Sequence, residues 1–334
     1  MKIAEILPGD QADGPLWHLM RQTGVTDAVG TLPPVSKIDN SGGDAPWDYL
    51  PLQRLKDKYN RFGFDLGVIE WRPPLNLAKR GLPGRDEEID AVCALLQNMG
   101  RLQIPVWCYE WMTDRNWVRT STSVESRGGS LVTGFDRAVF EAGPTTSEPI
   151  AEDQLWENLE YFLSRVVPVA EDAGVRLAMH PDDPPISPLG GMGRIMSSLD
   201  GYRRLLQTHP SPMNGITFCQ GNFRLMTDDL PAAIRELGAD GKIFFVHFRD
   251  VEGTRESFVE TWHDAGPTDM YACIEAYRDI GFDGLMRCDH VPSLYGEPIT
   301  DVGYGTLGRL YAVGYMRGLV EAALKSPTPA LALA

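Results

Sequence analysis

The sequence predicts an α/β chain closed into a (β/α)8 barrel of the TIM-barrel class, and three observations predict it. Eight short apolar runs alternate with stretches of helical periodicity along the 334 residues. Four metal-competent side chains fall at the ends of the last four runs, each about one βα unit from the next. The composition, 43% hydrophobic and 23% charged, supports a core large enough for one barrel. A doubly wound open sheet remains an alternative, because periodicity does not show closure. Such a sheet would carry a Gly-rich phosphate turn after its first strand, where "LPGDQADG" is a poor match.

The first four candidate strands are "KIAEIL" at 2–7, "DAVGTL" at 27–32, "DLGVIE" at 65–70 and "IPVWCYE" at 104–110. The last four are "VRLAMH" at 175–180, "GITFC" at 215–219, "IFFVHF" at 243–248 and "FDGLMRCD" at 282–289. Between them lie helical patterns such as "PLQRLKDKYNRFG", "DEEIDAVCALLQNMG", "LWENLEYFLSRVVPVAEDAG" and "MYACIEAYRDIG". The second and fourth of these end at Gly, which reads as a helix stop. A last helix is expected at roughly 306–324, so residues 1–324 read as a single barrel and 325–334 as a frayed tail. Two loops exceed what a barrel needs, at 33–47 and 111–150. The second mixes Trp111, Arg115, Trp117 and Arg119 with glycines, and reads either as a plain excursion or as a lid over a polar pocket.

The formal net charge of −15 argues against a nucleic-acid surface. No apolar run is long enough to span a membrane, and the start "MKIAEILPGD" lacks the apolar segment of a signal peptide. Five scattered cysteines fit a reducing compartment better than a disulfide scaffold, so a cytoplasmic location is expected.

His180 closes the fifth candidate strand, Cys219 the sixth, His247 falls at the end of the seventh and Asp289 closes the eighth, at intervals of 39, 28 and 42 residues. All strand ends of a barrel open on one face, so these imidazole, thiolate and carboxylate groups are expected to converge on one divalent ion. Taken singly, each has a blander role: a loop-mouth His, a buried Cys, a core His, a turn-capping Asp. The donor set by itself favours Zn²⁺, while Mn²⁺ or Fe²⁺ also suit it. Cys93, Cys108 and Cys273 read as core residues, and strand alternation should turn Cys288 away from Asp289.

With those residues placed, the chain resembles the mannonate dehydratase family of sugar-acid lyases. The matching segments are "VWCYEWMTDRNWVRT", "VRLAMHPDDPP", "GITFCQGN", "FFVHFRDV", "DMYACIEAYRDIGFDGLMRCDH" and "GYGTLGRLYAVGYMRGL", in order from about residue 60 onward. The resemblance implies a xylose-isomerase-like barrel, a divalent ion (usually manganese), a homo-oligomer, and dehydration of D-mannonate to 2-keto-3-deoxy-D-gluconate. It places the metal ligands on His180, Cys219, His247 and Asp289, a proton-transfer histidine on His290 and an active-site tyrosine on Tyr304. Arg249 sits where the family also has arginine and is expected to meet the substrate carboxylate. The chain departs from the family pattern at Cys288, where proline is usual, at "VP" after His290, and at Asp250, where asparagine is usual.

These residues divide the chemistry of losing water from a 2,3-dihydroxy acid. The ion steadies developing negative charge, while His290 and Tyr304 move protons in an order the residues alone leave open. Asp289 and His290 share one pocket only if the strand ends between them, an exit that the following "VP" favours. The alternative reading is a metal-dependent sugar isomerase or epimerase on the same barrel.

Overall fold

In the computed structural model, the chain is described over residues 1–32, 44–114, 116–144, 148–298 and 303–326. Among the described residues, twelve strands run in chain order from β1 (Lys2–Ile6), β2 (Asp27–Gly30), β3 (Asp65–Glu70) and β4 (Val106–Glu110) to β5 (Ser121–Glu125) and β6 (Leu131–Asp136). They continue with β7 (Arg176–His180), β8 (Asn214–Cys219), β9 (Ile243–Phe248), β10 (Val251–Gly253), β11 (Ser257–Glu260) and β12 (Leu285–Cys288). Each of the eight expected apolar runs forms a strand, and those strands close a parallel barrel in the order β1-β2-β3-β4-β7-β8-β9-β12. Closure is made by β1, which pairs Ala4 with Asp27 of β2 and with Arg287 of β12. An open doubly wound sheet is thereby set aside.

The runs are apolar on both faces because both faces are covered. Inside the barrel Ala4, Val29, Val68, Val106, Ala178 and Phe245 pack together. Outside it a larger layer joins strands to helices through residues such as Trp17, Leu96, Trp107, Phe162, Phe218 and Tyr277.

Helix termini follow the expected signals with one exception. Helix Met270–Asp279 stops just before Gly281, whose φ of 68° is the left-handed stop that glycine supplies. Gly100, expected to stop its own helix, lies inside Arg85–Arg101. A Cβ there would sit 2.4 Å from the Ala173 carbonyl oxygen, so this glycine serves the close approach of helix Glu152–Ala173 instead.

The stretch 111–150 is not a plain loop. It carries β5, β6 and the short helix Arg137–Glu141, and it joins the hairpin that follows β9 in a four-stranded antiparallel sheet ordered β10-β11-β6-β5. Phe135, Ile186, Leu189, Leu225, Val251 and Phe258 form that sheet's own small core. Residues 33–43 of the other long loop, and 327–334 of the expected tail, lie outside the described residues. No helix among the described residues is long and apolar enough to cross a membrane.

Candidate active site

The C-terminal strand ends frame a cavity of about 490 Å³ lined by His180, His247, Asp289, His290 and Tyr304 together with Glu70, Arg72 and Glu110. That size accommodates a small polar substrate. Cys219 and His247 are direct register partners across β8 and β9, so both side chains point to the same interior face. Arg287 is register partner of His247 across β12 and β9, which brings Asp289, two residues on, to that face as well. Cys288 turns the other way, as alternation requires, and its thiol donates to Glu5 Oε2 at 2.8 Å.

Three of the four expected donors, His180, Cys219 and His247, bring ligand atoms within 4.8 Å of one another, and Asp289 stands beside two of them. His180 Nε2 lies 3.2 Å from His247 Nδ1, and Asp289 Oδ2 lies 3.7 Å from both His247 Nδ1 and Cys219 Sγ. Donors sharing one first-row divalent ion at bonds of about 2.0–2.3 Å sit roughly 3–3.8 Å apart, so the spacings suit one ion. The tautomers agree. His180 Nδ1 lies 2.7 Å from the Pro181 carbonyl oxygen, which can only accept, so Nδ1 carries the proton and Nε2 presents a lone pair. His247 Nε2 is buried with no hydrogen-bond partner among the described residues, although Glu70 Oε2 is 3.3 Å away. A proton on that nitrogen, facing a carboxylate, leaves Nδ1 to bind metal.

A second set, Glu70, Cys108 and His247, also lies within ligand range. Its members are committed elsewhere. Arg287 grips both oxygens of Glu70 at 2.7 and 2.9 Å. Burial pushes the Cys108 thiol well above its ordinary range, and Thr217 donates to its sulfur. The residues around His180, Cys219 and His247 therefore fit an ion better.

The two oxygens of Asp289 face different groups. Oδ2 faces the donor set and Arg249 Nε at 2.9 Å. Oδ1 accepts from Tyr304 Oη at 2.8 Å and Arg287 Nη1 at 2.9 Å, and lies 3.7 Å from His290 Nε2. Burial alone would raise its pKa, but His290, Arg287, His247 and Arg249 overcome that and hold the carboxyl well below the usual range. Burial and the Asp289 charge keep the Tyr304 phenol well above its ordinary pKa, so it stays protonated.

His290 reaches the pocket because β12 ends at Cys288 and His290 turns into the left-handed region, with φ of 38°. Its Nδ1 lies 2.9 Å from Glu260 Oε1 and is assigned as the donor to that carboxylate, which leaves Nε2 facing the cavity. Glu260 ends β11, so the added four-stranded sheet delivers the partner of the pocket histidine. Burial opposes ionisation of Glu260, but Arg249, His290 and Arg119 bring its pKa down to about 2.

Arg249 is placed differently from the expectation. It is buried behind the donors rather than on the cavity wall. Its Nε meets Cys219 Sγ at 3.3 Å, Nη1 donates to both oxygens of Glu260, and Nη2 donates to Asp183 and Asn222. No nitrogen is left over for a substrate. Asp250 likewise caps Thr268 and Val251 rather than facing the cavity.

Reading from sequence missed Glu70, Glu110 and Glu260, and it gave Arg119 only a place in a possible lid. The first two close candidate strands and carried the same positional signal as His180 and Cys219. The last two belong to the added sheet or to its approach, where no barrel rule points inward.

A closed eight-stranded barrel with two imidazoles and a cysteine sulfur clustered at its C-terminal mouth, and the Asp289 carboxylate beside them, has the form of a metal-binding (β/α)8 enzyme. Residues 9–147 and 144–328 match the family model described as D-mannonate dehydratase (UxuA). A mannonate dehydratase of Enterococcus faecalis is 34% identical over 344 residues, covering 92% of this chain and 94% of the relative. The crystal structure of a mannonate dehydratase from Streptococcus suis serotype 2 is 29% identical, with a TM-score of 0.89 over 97% of this chain and 95% of that one. An L-ribulose 3-epimerase structure, at 14% identity and a TM-score of 0.62 over 97% of this chain and 96% of that one, shares the fold alone. The chain belongs to the mannonate dehydratase family, enzymes of the hydro-lyase type on a xylose-isomerase-like barrel.

Proposed function

We propose that the chain converts D-mannonate to 2-keto-3-deoxy-D-gluconate and water, using one Mn²⁺ held by His180, Cys219, His247 and Asp289. The observation that carries this reading is the divided carboxylate of Asp289, with one oxygen at the donor set and the other at Tyr304 and His290. Fe²⁺ or Zn²⁺ would satisfy the same donors, and a carboxylate beside two imidazoles suits Mn²⁺. Bound there, the ion supplies positive charge that steadies negative charge developing on substrate oxygens.

The chain's own groups do the rest. His290 Nε2, with Nδ1 tied to Glu260, takes the proton from C2 next to the carboxylate. The C3–O bond then breaks, and the leaving hydroxide takes the Tyr304 proton and departs as water. The enol left behind tautomerises to the 2-keto acid, and the proton that His290 took returns through solvent to Tyr304, restoring both groups. Arg249, tied to Cys219, Asp289 and Glu260, fixes the positions of donors and base partner together.

Protein stripped of metal and resupplied with Mn²⁺ tests the reading on D-mannonate and a panel of C5 and C6 aldonates. A keto-deoxy acid lighter than D-mannonate by one water is the expected product. A product from a different aldonate would keep the mechanism and change the substrate. A product of unchanged mass would replace the dehydratase by an isomerase or epimerase.

A further inference from the structure

If the substrate is a sugar acid, some cation must recognise its carboxylate, and most cations at the cavity are already committed. Arg287 spends Nε and Nη2 on Glu70, and Nη1 on Asp289 and the Cys288 carbonyl. Lys79 is fully buried on Glu110 and the Met112 carbonyl. Arg72 differs. Its Nε is tied to Glu110 Oε1 at 2.5 Å, while among the described residues Nη1 and Nη2 have only contacts of 3.5 Å, to the Pro73 carbonyl and Asn116 Oδ1.

The anchor beneath Arg72 is rigid. Glu110 Oε1 also accepts from Lys79, Oε2 accepts from the Met112 amide at 2.6 Å, and Trp107 Nε1 donates to the Trp71 carbonyl next door at 2.7 Å. Burial opposes ionisation of Glu110, but Arg72 and Lys79 bring its pKa down to about 2, so the pair stays charged. The guanidinium is thus pinned by Nε in a residue that lines the cavity, with both terminal nitrogens free of any short contact among the described residues. Arg72 and His290 line the same cavity. Asn116 touches Arg72, and the next residue, Trp117, has its ring centroid 5.1 Å from that of His290.

We propose that Arg72 is the specificity residue for the acid end of the substrate. Its terminal nitrogens take the two carboxylate oxygens as a parallel fork, leaving C2 toward His290. This rests on the sugar-acid reading above and adds the group that enforces it.

The test measures binding by calorimetry in a His290→Asn background loaded with Mn²⁺, so that turnover does not interfere. The probes are D-mannonate and the neutral polyol D-mannitol. Arg72→Gln is expected to weaken D-mannonate by about tenfold to a hundredfold, leaving D-mannitol and Mn²⁺ affinity unchanged. Arg72→Lys keeps the charge beside Glu110 but loses the fork, and is expected to show most of the same loss. Undiminished preference for D-mannonate over D-mannitol in either variant, with an unaltered melting temperature, would overturn the assignment. Turnover of D-mannonate by otherwise unmodified protein is scored separately. Its absence would sink the dehydratase reading while the binding preference still decides the role of Arg72.

Discussion

Asp289 stands between two kinds of chemistry, and its two oxygens predict different failures for it and for its neighbour. Asp289→Asn removes the charge that faces Cys219 and His247 while leaving the shape. Mn²⁺ affinity should fall by about tenfold or more, read by titration, with turnover falling alongside it. Glu260→Gln removes the charge behind His290 without touching a donor. Metal affinity should hold and kcat should fall by roughly tenfold or more, since general-base catalysis is worth about 10²–10⁴. Equal losses of metal in both variants would contradict the division. At this scale the sequence was informative wherever a side chain closed a barrel strand, because strand ends share one face. It was silent on Glu260 and gave Arg119 only a place in a possible lid, since both come from outside the barrel, and it misdirected on Arg249. An arginine two residues after a metal-competent histidine does not reveal that Asp183, Asn222 and Glu260 already surround it.

Among the elements, the barrel strands were legible because each is buried on both faces and reads as an unbroken apolar run. The added sheet was not. Its strand "STSVE" is largely exposed and polar, and its partner strands are split between two distant parts of the chain. Pairing of that kind leaves no local pattern. Gly100 shows the opposite error, a correct residue given the wrong reason, since a helix stop and a helix crossing both call for glycine. Gly100→Val should therefore destabilise the protein by about 1–3 kcal/mol in a thermal or denaturant melt, despite lying in a helix, because the side chain would strike the Ala173 carbonyl. A melt unchanged from the parent would mean that the two helices can part without loss.

Across the whole molecule, buried charge ties barrel segments to one another at Glu110 and the added sheet to the barrel at Glu260, and acid should loosen both. Glu110 and Glu260 have folded-state pKa values of about 2, below the ordinary 4.5 of a glutamate in the unfolded chain. Their contribution is complete above about pH 4.5 and is lost as pH falls toward 2, because the unfolded chain binds the protons first. Stability measured by denaturant across that window should drop with falling pH, and Glu260→Gln should flatten the drop. Metal adds a second linkage. Saturating Mn²⁺ at about a thousandfold above its Kd should stabilise the fold by about 4 kcal/mol, and chelation should reverse it. What joins all three scales is the proposal that a single strand exit divides the work, with Asp289 holding the ion and His290 moving the proton. The most direct test is metal content and turnover measured together on His290→Asn, a substitution suited to the left-handed backbone there. Metal near one equivalent per chain with turnover abolished is the predicted result; lost metal, or turnover that survives, would contradict the account.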